Sequence, residues 1–319
     1  MRSYSYIVLI LILSSGCTAH QVLDVTENKQ NSNTESIIAK KSWMHGSPNC
    51  SNSRKPIHDI YKHDENTYIF RQNKCITFEA PFIYILVGSE KVLVLDTGAI
   101  AQNAEYSLYK EVENLLGREQ LSTKELIVMH SHGHSDHTQG DSSFAVHPNI
   151  KLIEASETYQ YLGLTDKLEG EVALELGERQ LTVLSTPGHQ EEAITIYDQK
   201  TQWLLTGDTL YPGYIYIKDW KAYKGSIDKL SVFSSKNNVK AIMGAHIEMK
   251  RQSASYYPIG TTYQPDEPKL DLTVKSLHRL NAELKKSDKP VELVFDDFII
   301  KPMNGFQKTL SNVVRWFSQ

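Results

Sequence analysis

The sequence predicts an α/β sandwich built on two packed sheets, with chemistry-bearing side chains gathered at one sheet edge. Three observations predict it. Short apolar runs rich in β-branched and aromatic residues recur along the chain and read as strands. Several of them end in a glycine-containing turn that is followed at once by a histidine or an aspartate. Between them lies helical spacing, so strand, loop and helix alternate as they do in α/β folds.

The elements follow in order. Arg2 precedes the apolar run Tyr6 to Leu13, which is too short to span a bilayer and suits the core of a signal peptide. Ser14-Ser15-Gly16-Cys17 resembles a bacterial lipoprotein signal, with Cys17 the lipidated residue; Ser14 stands where leucine is usual, which leaves ordinary secretory cleavage or an uncleaved anchor open. Residues 1–17 are therefore expected to export the protein, as a periplasmic or outer-membrane-anchored lipoprotein. Residues 18–45 are rich in Asn, Gln, Ser, Thr, Glu and Lys and are expected to be a flexible linker. A catalytic domain is expected over 46–319, with 264–319 as a strand and helix extension. Cys50 and Cys75 join no metal pattern and are expected to pair in an oxidising compartment, a bridge worth roughly 3 kcal/mol if unstrained.

Strands are expected at Thr67 to Phe70, Phe82 to Val87 and Val92 to Leu95, with Gly88-Ser89-Glu90 turning between the last two. Ala104, Leu108, Val112, Leu115 and Leu116 repeat at helical spacing, and Gly117 is placed to end that helix. Further strands are read at Leu126 to Met129, Leu181 to Leu184, Ala193 to Tyr197, Trp203 to Leu205 and Val239 to Met243. The stretch Tyr256 to Pro265 is dense in tyrosines and turn residues; it either walls the site or packs its tyrosines on the body. Val274, Leu277, Leu280 and Leu284 mark an amphipathic helix, Val291 to Phe295 and Phe298 to Ile300 a strand pair, and Phe306, Leu310, Val313, Val314 and Phe317 a last helix, all read as core.

Chemistry concentrates after Met129. His132, His134, Asp136 and His137 spell H-x-H-x-D-H, imidazole and carboxylate ligands of the kind zinc prefers. Buried without a cation, such a cluster would lose solvation with nothing to replace it. His189 follows Thr186-Pro187-Gly188, Asp208 follows Thr206-Gly207, and His246 follows Gly244-Ala245. Alone, His189 or His246 would be an ordinary packed or surface histidine. Their repeated place beyond a strand end and a glycine aims all three at one crevice. His130 continues the alternation of His132 and His134, but lies on the strand side shared with Val128, so a packed or supporting role fits it better than ligation.

The chain resembles the metallo-β-lactamase-fold hydrolase superfamily over roughly residues 65 to 250. The resemblance rests on Leu95-Asp96-Thr97-Gly98, His132-Gly133-His134-Ser135-Asp136-His137, Thr186-Pro187-Gly188-His189, Gly207-Asp208-Thr209 and His246, in that order. It implies a four-layer αβ/βα sandwich carrying two zinc ions at the sheet edge. One ion would be held by His132, His134 and His189, the other by Asp136, His137 and His246, with Asp208 bridging both. A bridging aspartate resembles the thioesterase and lactonase branches, glyoxalase II above all, more than β-lactamases with a cysteine there. Asp96 would orient a ligating imidazole through its free nitrogen, or else be a plain turn aspartate.

The resemblance implies hydrolysis of a small-molecule thioester, lactone or related ester by a hydroxide shared between the ions, with Asp136 and Asp208 as its catalytic carboxylates. Two enzyme alternatives stand beside it. A β-lactamase is favoured by export and by the histidine-rich second site, and the Thr209 to Tyr214 segment would then supply substrate contacts. An iron-dependent, persulfide-dioxygenase-like oxidoreductase could use the same ligands; no flavodoxin module follows the metal region, so only a mononuclear version is considered. Glyoxalase II activity itself lacks its basic glutathione-binding residues. A non-catalytic binding protein is disfavoured by the complete ligand set.

Composition narrows the partners. With 40% hydrophobic and 23% charged residues among 319, the chain can build one large domain, and disorder throughout is excluded. A net charge of −4 with no Lys/Arg stripe in the motif region lacks the electrostatic footprint of a nucleic-acid binder. Membrane contact is expected only through the N-terminal lipid anchor.

Overall fold

A computed structural model of the protein describes residues 22–24, 38, 41–164 and 170–309. In chain order, β1 (Val22–Asp24) is followed by β2 (His58–Asp64), β3 (Thr67–Gln72), β4 (Phe82–Val87), β5 (Lys91–Leu95), β6 (Glu125–Met129) and β7 (Ile150–Leu152). The last six form one sheet in sequence order. Its first strands are joined by short turns and run antiparallel. β5 and β6 are parallel, because the Leu108–Leu116 helix crosses over between them. Ser107 starts that helix by accepting from the Lys110 amide, and Gly117 ends it at φ +85°. Ala104, expected within the helix, lies ahead of it.

A second sheet collects β8 (Glu171–Glu175), β9 (Gln180–Ser185), β10 (Ile194–Asp198), β11 (Trp203–Gly207), β13 (Ala241–Gly244) and β14 (Asp271–Leu272), in the order β14-β13-β11-β10-β9-β8. Between β11 and β13 the chain makes β12 (Tyr214–Ile217) and the Trp220–Lys236 helix, and the pair β11/β13 is again parallel. β12 leaves the second sheet. With β15 (Glu292–Val294), β16 (Ile299–Pro302) and β1 it makes a third, in the order β1-β15-β16-β12.

The apolar runs are continuous where both faces of a strand are covered. In β4, Phe82, Tyr84 and Leu86 enter the core between the two large sheets, where they meet Val183, Ile196, Leu205 and Met243. Ile83, Ile85 and Val87 point the other way, onto Leu108, Val112 and Leu116 of the crossover helix. On the outer face of the second sheet, Leu204 and Ile242 pack with Tyr223, Ile227 and Leu230, and with Leu277, Leu280 and Leu284 of the Val274–Lys285 helix. The result is helix, sheet, sheet, helix, with each fully buried aliphatic side chain contributing about 2 kcal/mol.

Buried ion pairs tie the layers. Arg179, on the turn before β9, pairs with Asp198 at 2.6 Å and donates to the carbonyls of Asn66 (2.6 Å) and Val87 (3.3 Å) in the first sheet. Arg71 of β3 grips Glu267 through both terminal nitrogens, at 2.5 and 2.6 Å.

Within the expected flexible linker over 18–45, the described residues 22–24, 38 and 41–45 are held against the body. Val22–Asp24 pairs in parallel with Glu292–Val294. Ile38 and Trp43 are buried in the inter-sheet core, Trp43 edge-on to Phe82 at 4.8 Å, and the Met44 amide donates to Asp59 at 2.7 Å. Polar composition hid these few apolar residues. Cys50 and Cys75 are bonded, with Cα atoms 5.0 Å apart. The expected signal segment with Cys17 lies outside the described residues, as do Leu310, Val313, Val314 and Phe317 of the expected last helix, whose Phe306 is exposed. Among the described residues no helix is long and apolar enough to cross a membrane.

Candidate metal centre

Every residue of the centre sits just beyond a strand end on the same edge of the sandwich. β6 ends at Met129, the chain bends at Ser131 and His132, and it is extended again at His134 (φ −73°, ψ 149°), which leaves His132 and His134 in the centre and His130 behind it. A short helical turn from Ser135 then presents Asp136 and His137 side by side. From the second sheet come His189 after β9, Asp208 after β11 and His246 after β13. Gly207 has φ +49°, and a Cβ there would lie 2.5 Å from the Ser131 side chain, so only glycine lets Asp208 reach the H-x-H loop.

The side chains form two groups that share Asp208. In the first, His134 Nδ1 lies 3.1 Å from His189 Nε2, and Asp208 Oδ2 is 3.6 Å from His189 Nε2 and 3.9 Å from His132 Nε2. In the second, Asp208 Oδ1 is 3.5 Å from His137 Nε2 and 3.4 Å from His246 Nε2, while Asp136 Oδ2 is 3.5 and 3.3 Å from the same nitrogens. The candidate ligand atoms of each group lie within 4.8 Å of one another. One aspartate thus offers one oxygen to each group.

Electrostatics and burial fit cations. His132 Nε2 and Asp208 Oδ1 are buried with no hydrogen-bond partner, a costly state for a polar atom with nothing to bind. Burial, then neighbouring histidines, hold His132 well below the ordinary imidazole range and His134 down at about 3, so both are neutral and able to ligate. Burial would push Asp136 and Asp208 up, but histidines around them hold both well below the usual carboxylate range. Burial likewise disfavours charge on His137 and His246; the facing carboxylates nevertheless raise His137 well above its ordinary value and His246 to about 9. The second group therefore calls for positive charge, which a metal ion would supply in place of protons.

The outer nitrogens are also engaged. His137 Nδ1 meets Asp96 Oδ2 at 2.9 Å, His189 Nδ1 the Tyr216 carbonyl at 2.7 Å, and His246 Nδ1 the Glu79 carbonyl at 3.1 Å. His132 Nδ1 is 3.2 Å from Ser131 Oγ, which itself donates to Asp96 Oδ2 at 2.9 Å. Asp96 is therefore next to a candidate ligand rather than a bare turn residue. His130 is fully buried outside both groups: Nδ1 meets the His137 carbonyl at 3.1 Å and Nε2 is 3.2 Å from Asp141. It holds the ligand-bearing turn from behind.

Sequence reasoning missed several neighbours. Ser131 sits inside the motif and passed unremarked. Gln190, buried beside His189, touches His134 Nε2. Half-buried Glu248 accepts from the Tyr211 hydroxyl at 3.1 Å and the Tyr214 amide at 2.9 Å, and so fixes the loop after Asp208. Its carbonyl accepts from the Tyr257 amide at 2.7 Å, which attaches the Tyr256 to Pro265 loop beside His246; the Tyr256 ring also lies tilted against Tyr214, with centroids 4.6 Å apart. Carbonyl acceptors such as Glu79 and Tyr216 have no residue signature to find.

The Metallo-beta-lactamase superfamily family model matches residues 76–246, which include every residue of both groups. The chain is similar to the acyl-coenzyme A thioesterase MBLAC2 of Homo sapiens, 25% identical over 202 residues that cover 51% of this chain and 72% of that protein. It is also similar to a hydroxyacylglutathione hydrolase of Bartonella tribocorum, 30% identical over 103 residues, 32% of this chain and 40% of that protein. Among solved structures, a metallo-beta-lactamase from Pontibacter korlensis shares the fold, with a TM-score of 0.50 at 15% identity over 72% of this chain and 100% of that one. With more than half the chain matched and the ligand groups assembled, the protein belongs to the metallo-beta-lactamase superfamily and is a metal-dependent hydrolase of that family.

Proposed function

We propose that the protein is a dinuclear zinc hydrolase of activated carbonyl compounds, with a thioester the first substrate to test and lactones or related esters next. The observation that carries it is the division of the Asp208 carboxylate, Oδ2 toward His132 and His189 and Oδ1 toward His137 and His246. Similarity to an acyl-coenzyme A thioesterase and a hydroxyacylglutathione hydrolase supports the substrate class.

His132, His134 and His189 would hold one ion and Asp136, His137 and His246 the other, with Asp208 shared. Bound there, the ions supply Lewis acidity, making a water nucleophilic near neutral pH and polarising a carbonyl. The chain supplies the rest. Asp136, kept ionised by His137 and His246, would accept a hydrogen bond from the water and orient it. Asp96 and the two backbone carbonyls keep the imidazole rings aimed inward, so little reorganisation accompanies reaction.

Export belongs to the same proposal: the Cys50–Cys75 bridge supports an oxidising compartment, with residues 1–17 as signal and Cys17 as lipid anchor. Metal content of the purified full chain, measured beside assays with an acyl thioester, a lactone and a β-lactam, tests the reading. About two zincs with thioester or lactone turnover would support it. Turnover of the β-lactam alone, or one iron per chain, would replace it by the corresponding alternative.

A further inference from the structure

Three tyrosine rings stand in a row beside the metal centre. Tyr216 and Tyr214 share one face of β12, with centroids 5.2 Å apart, and Tyr256 lies against Tyr214 at 4.6 Å. Ile215 and Ile217, on the opposite face, are buried among the helices that cover the second sheet, whereas the three tyrosines belong to none of the apolar cores of the described residues. Tyr214 and Tyr216 are half-buried, and Tyr256 is 40% exposed. Their backbone is tied to the ligand-bearing loops. The Tyr216 carbonyl meets His189 Nδ1 at 2.7 Å, the Tyr214 amide donates to Glu248 just past His246, and Tyr256 is bridged to Met249 next along. β12 itself follows the Asp208 loop. The row therefore begins beside His189 and ends in solvent at Tyr256.

Its surface is apolar and uncharged. Burial, then Glu292 beside Tyr214 and Glu248 beside Tyr216, holds both hydroxyls above the ordinary phenol range, so they stay neutral. Lys301, opposite Tyr216 on β16, is taken up by Glu292, and Glu248 adds negative charge. An anionic group laid on the rings is therefore disfavoured, while a hydrocarbon chain meets no such penalty and gains by leaving water. A line of rings open to solvent at one end suits an extended chain better than a compact group. We propose that Tyr214, Tyr216 and Tyr256 form the acyl subsite of the enzyme and select thioesters or esters whose acyl group is an unbranched apolar chain, its carbonyl at the metal centre and its methylenes along the rings. The charged or polar leaving group then lies away from the row. The Tyr256 to Pro265 loop, on this assignment, walls the site rather than merely packing on the body. The inference rests on the activated-carbonyl reading of the proposed function.

N-acetylcysteamine thioesters carrying acetyl, butyryl, hexanoyl and octanoyl groups, assayed with the full chain supplied with zinc, test it with Tyr256→Ser, Tyr214→Ser and Tyr214→Phe. In the wild type kcat/KM should rise about twofold to fourfold per methylene, as partial to full burial of a CH2 group predicts. The octanoyl-to-acetyl ratio should fall roughly tenfold in Y256S and Y214S, the loss of about two sheltered methylenes, and should be restored in Y214F, which keeps the ring. A second readout needs neither turnover nor a variant. S-octyl-N-acetylcysteamine, a thioether with no carbonyl to attack, should give nuclear Overhauser contacts from its methylenes to the rings of Tyr214 and Tyr256. A flat chain-length series, a wild-type ratio in both serine variants, or a thioether seated elsewhere would overturn the inference and leave the hydrolase reading standing. If no thioester of any length is cleaved while the thioether still lies on the rings, the thioester reading falls and the apolar site remains.

Discussion

At the scale of single residues, position in the centre sets the size of an effect. Asp208→Ala removes an oxygen from each ligand group and should cost more activity than the roughly 10–100-fold typical of an outer partner, with metal lost from the purified protein. His130→Ala leaves both groups intact and should cost far less activity, because Thr97 still donates to Asp141 through its hydroxyl at 2.7 Å and to the His137 carbonyl through its amide at 2.8 Å. Equal losses of kcat/KM in the two variants would count against the assignment. His58 offers a test away from the metals. Burial lowers its pKa from the ordinary 6.5 to about 4. Above pH 6.5 both folded and unfolded chains hold it neutral; below, the unfolded chain binds a proton that the folded one refuses until about pH 4. Stability should therefore drain away between those values by about 3 kcal/mol in all. Urea titrations at pH 7, 5 and 4 should show a smaller loss in His58→Asn, and an unchanged slope would refute the account. The residues of the two candidate metal groups were legible in the sequence because strand ends, glycines and ligand types coincide at His132, His189, Asp208 and His246. Ser131, Gln190 and Glu248 were not, since a lone polar residue has no pattern and its partner lies far along the chain.

Among the elements, those with one clean period were readable. The strands over Phe82–Val87 and Lys91–Leu95 carry unbroken apolar runs, and the Leu108–Leu116 helix has a single buried stripe. The Trp220–Lys236 helix escaped because its inward face mixes Trp220, Tyr223, Ile227 and Leu230 with Ser226 and Ser234, while Val232 points outward. Ser226 belongs inside: its hydroxyl donates to the Pro187 carbonyl at 2.6 Å, next to the turn that carries His189. The third sheet was invisible for another reason, since β12 pairs with β16 across most of the C-terminal half, and no local signal reports a distant register. Before β2, the anchors Ile38 and Trp43 were hard to read because polar residues outnumber them. Trp43→Ala should cost about 3–5 kcal/mol in a denaturant titration, the range for deleting a buried tryptophan. A loss below 1 kcal/mol would return that segment to the status of a tether.

For the whole molecule, the ligands are divided between the sheets. His132, His134, Asp136 and His137 ride on the first, and His189, Asp208 and His246 on the second. Metal binding should therefore appear as folding stability, about 2.7 kcal/mol when free zinc is 100 times its dissociation constant. Stripping the metal with a chelator should lower the melting temperature in the wild type and do so much less in Asp208→Ala. Equal shifts in the two proteins would sink the idea. The far end of the sandwich is closed differently, by Arg179 clamped on Asp198 and on the carbonyls of Asn66 and Val87. If metals hold the catalytic edge as a removable clasp and Arg179 the opposite edge as a spine, amide exchange in the metal-stripped protein should begin at the catalytic edge and reach the strands around Arg179 last.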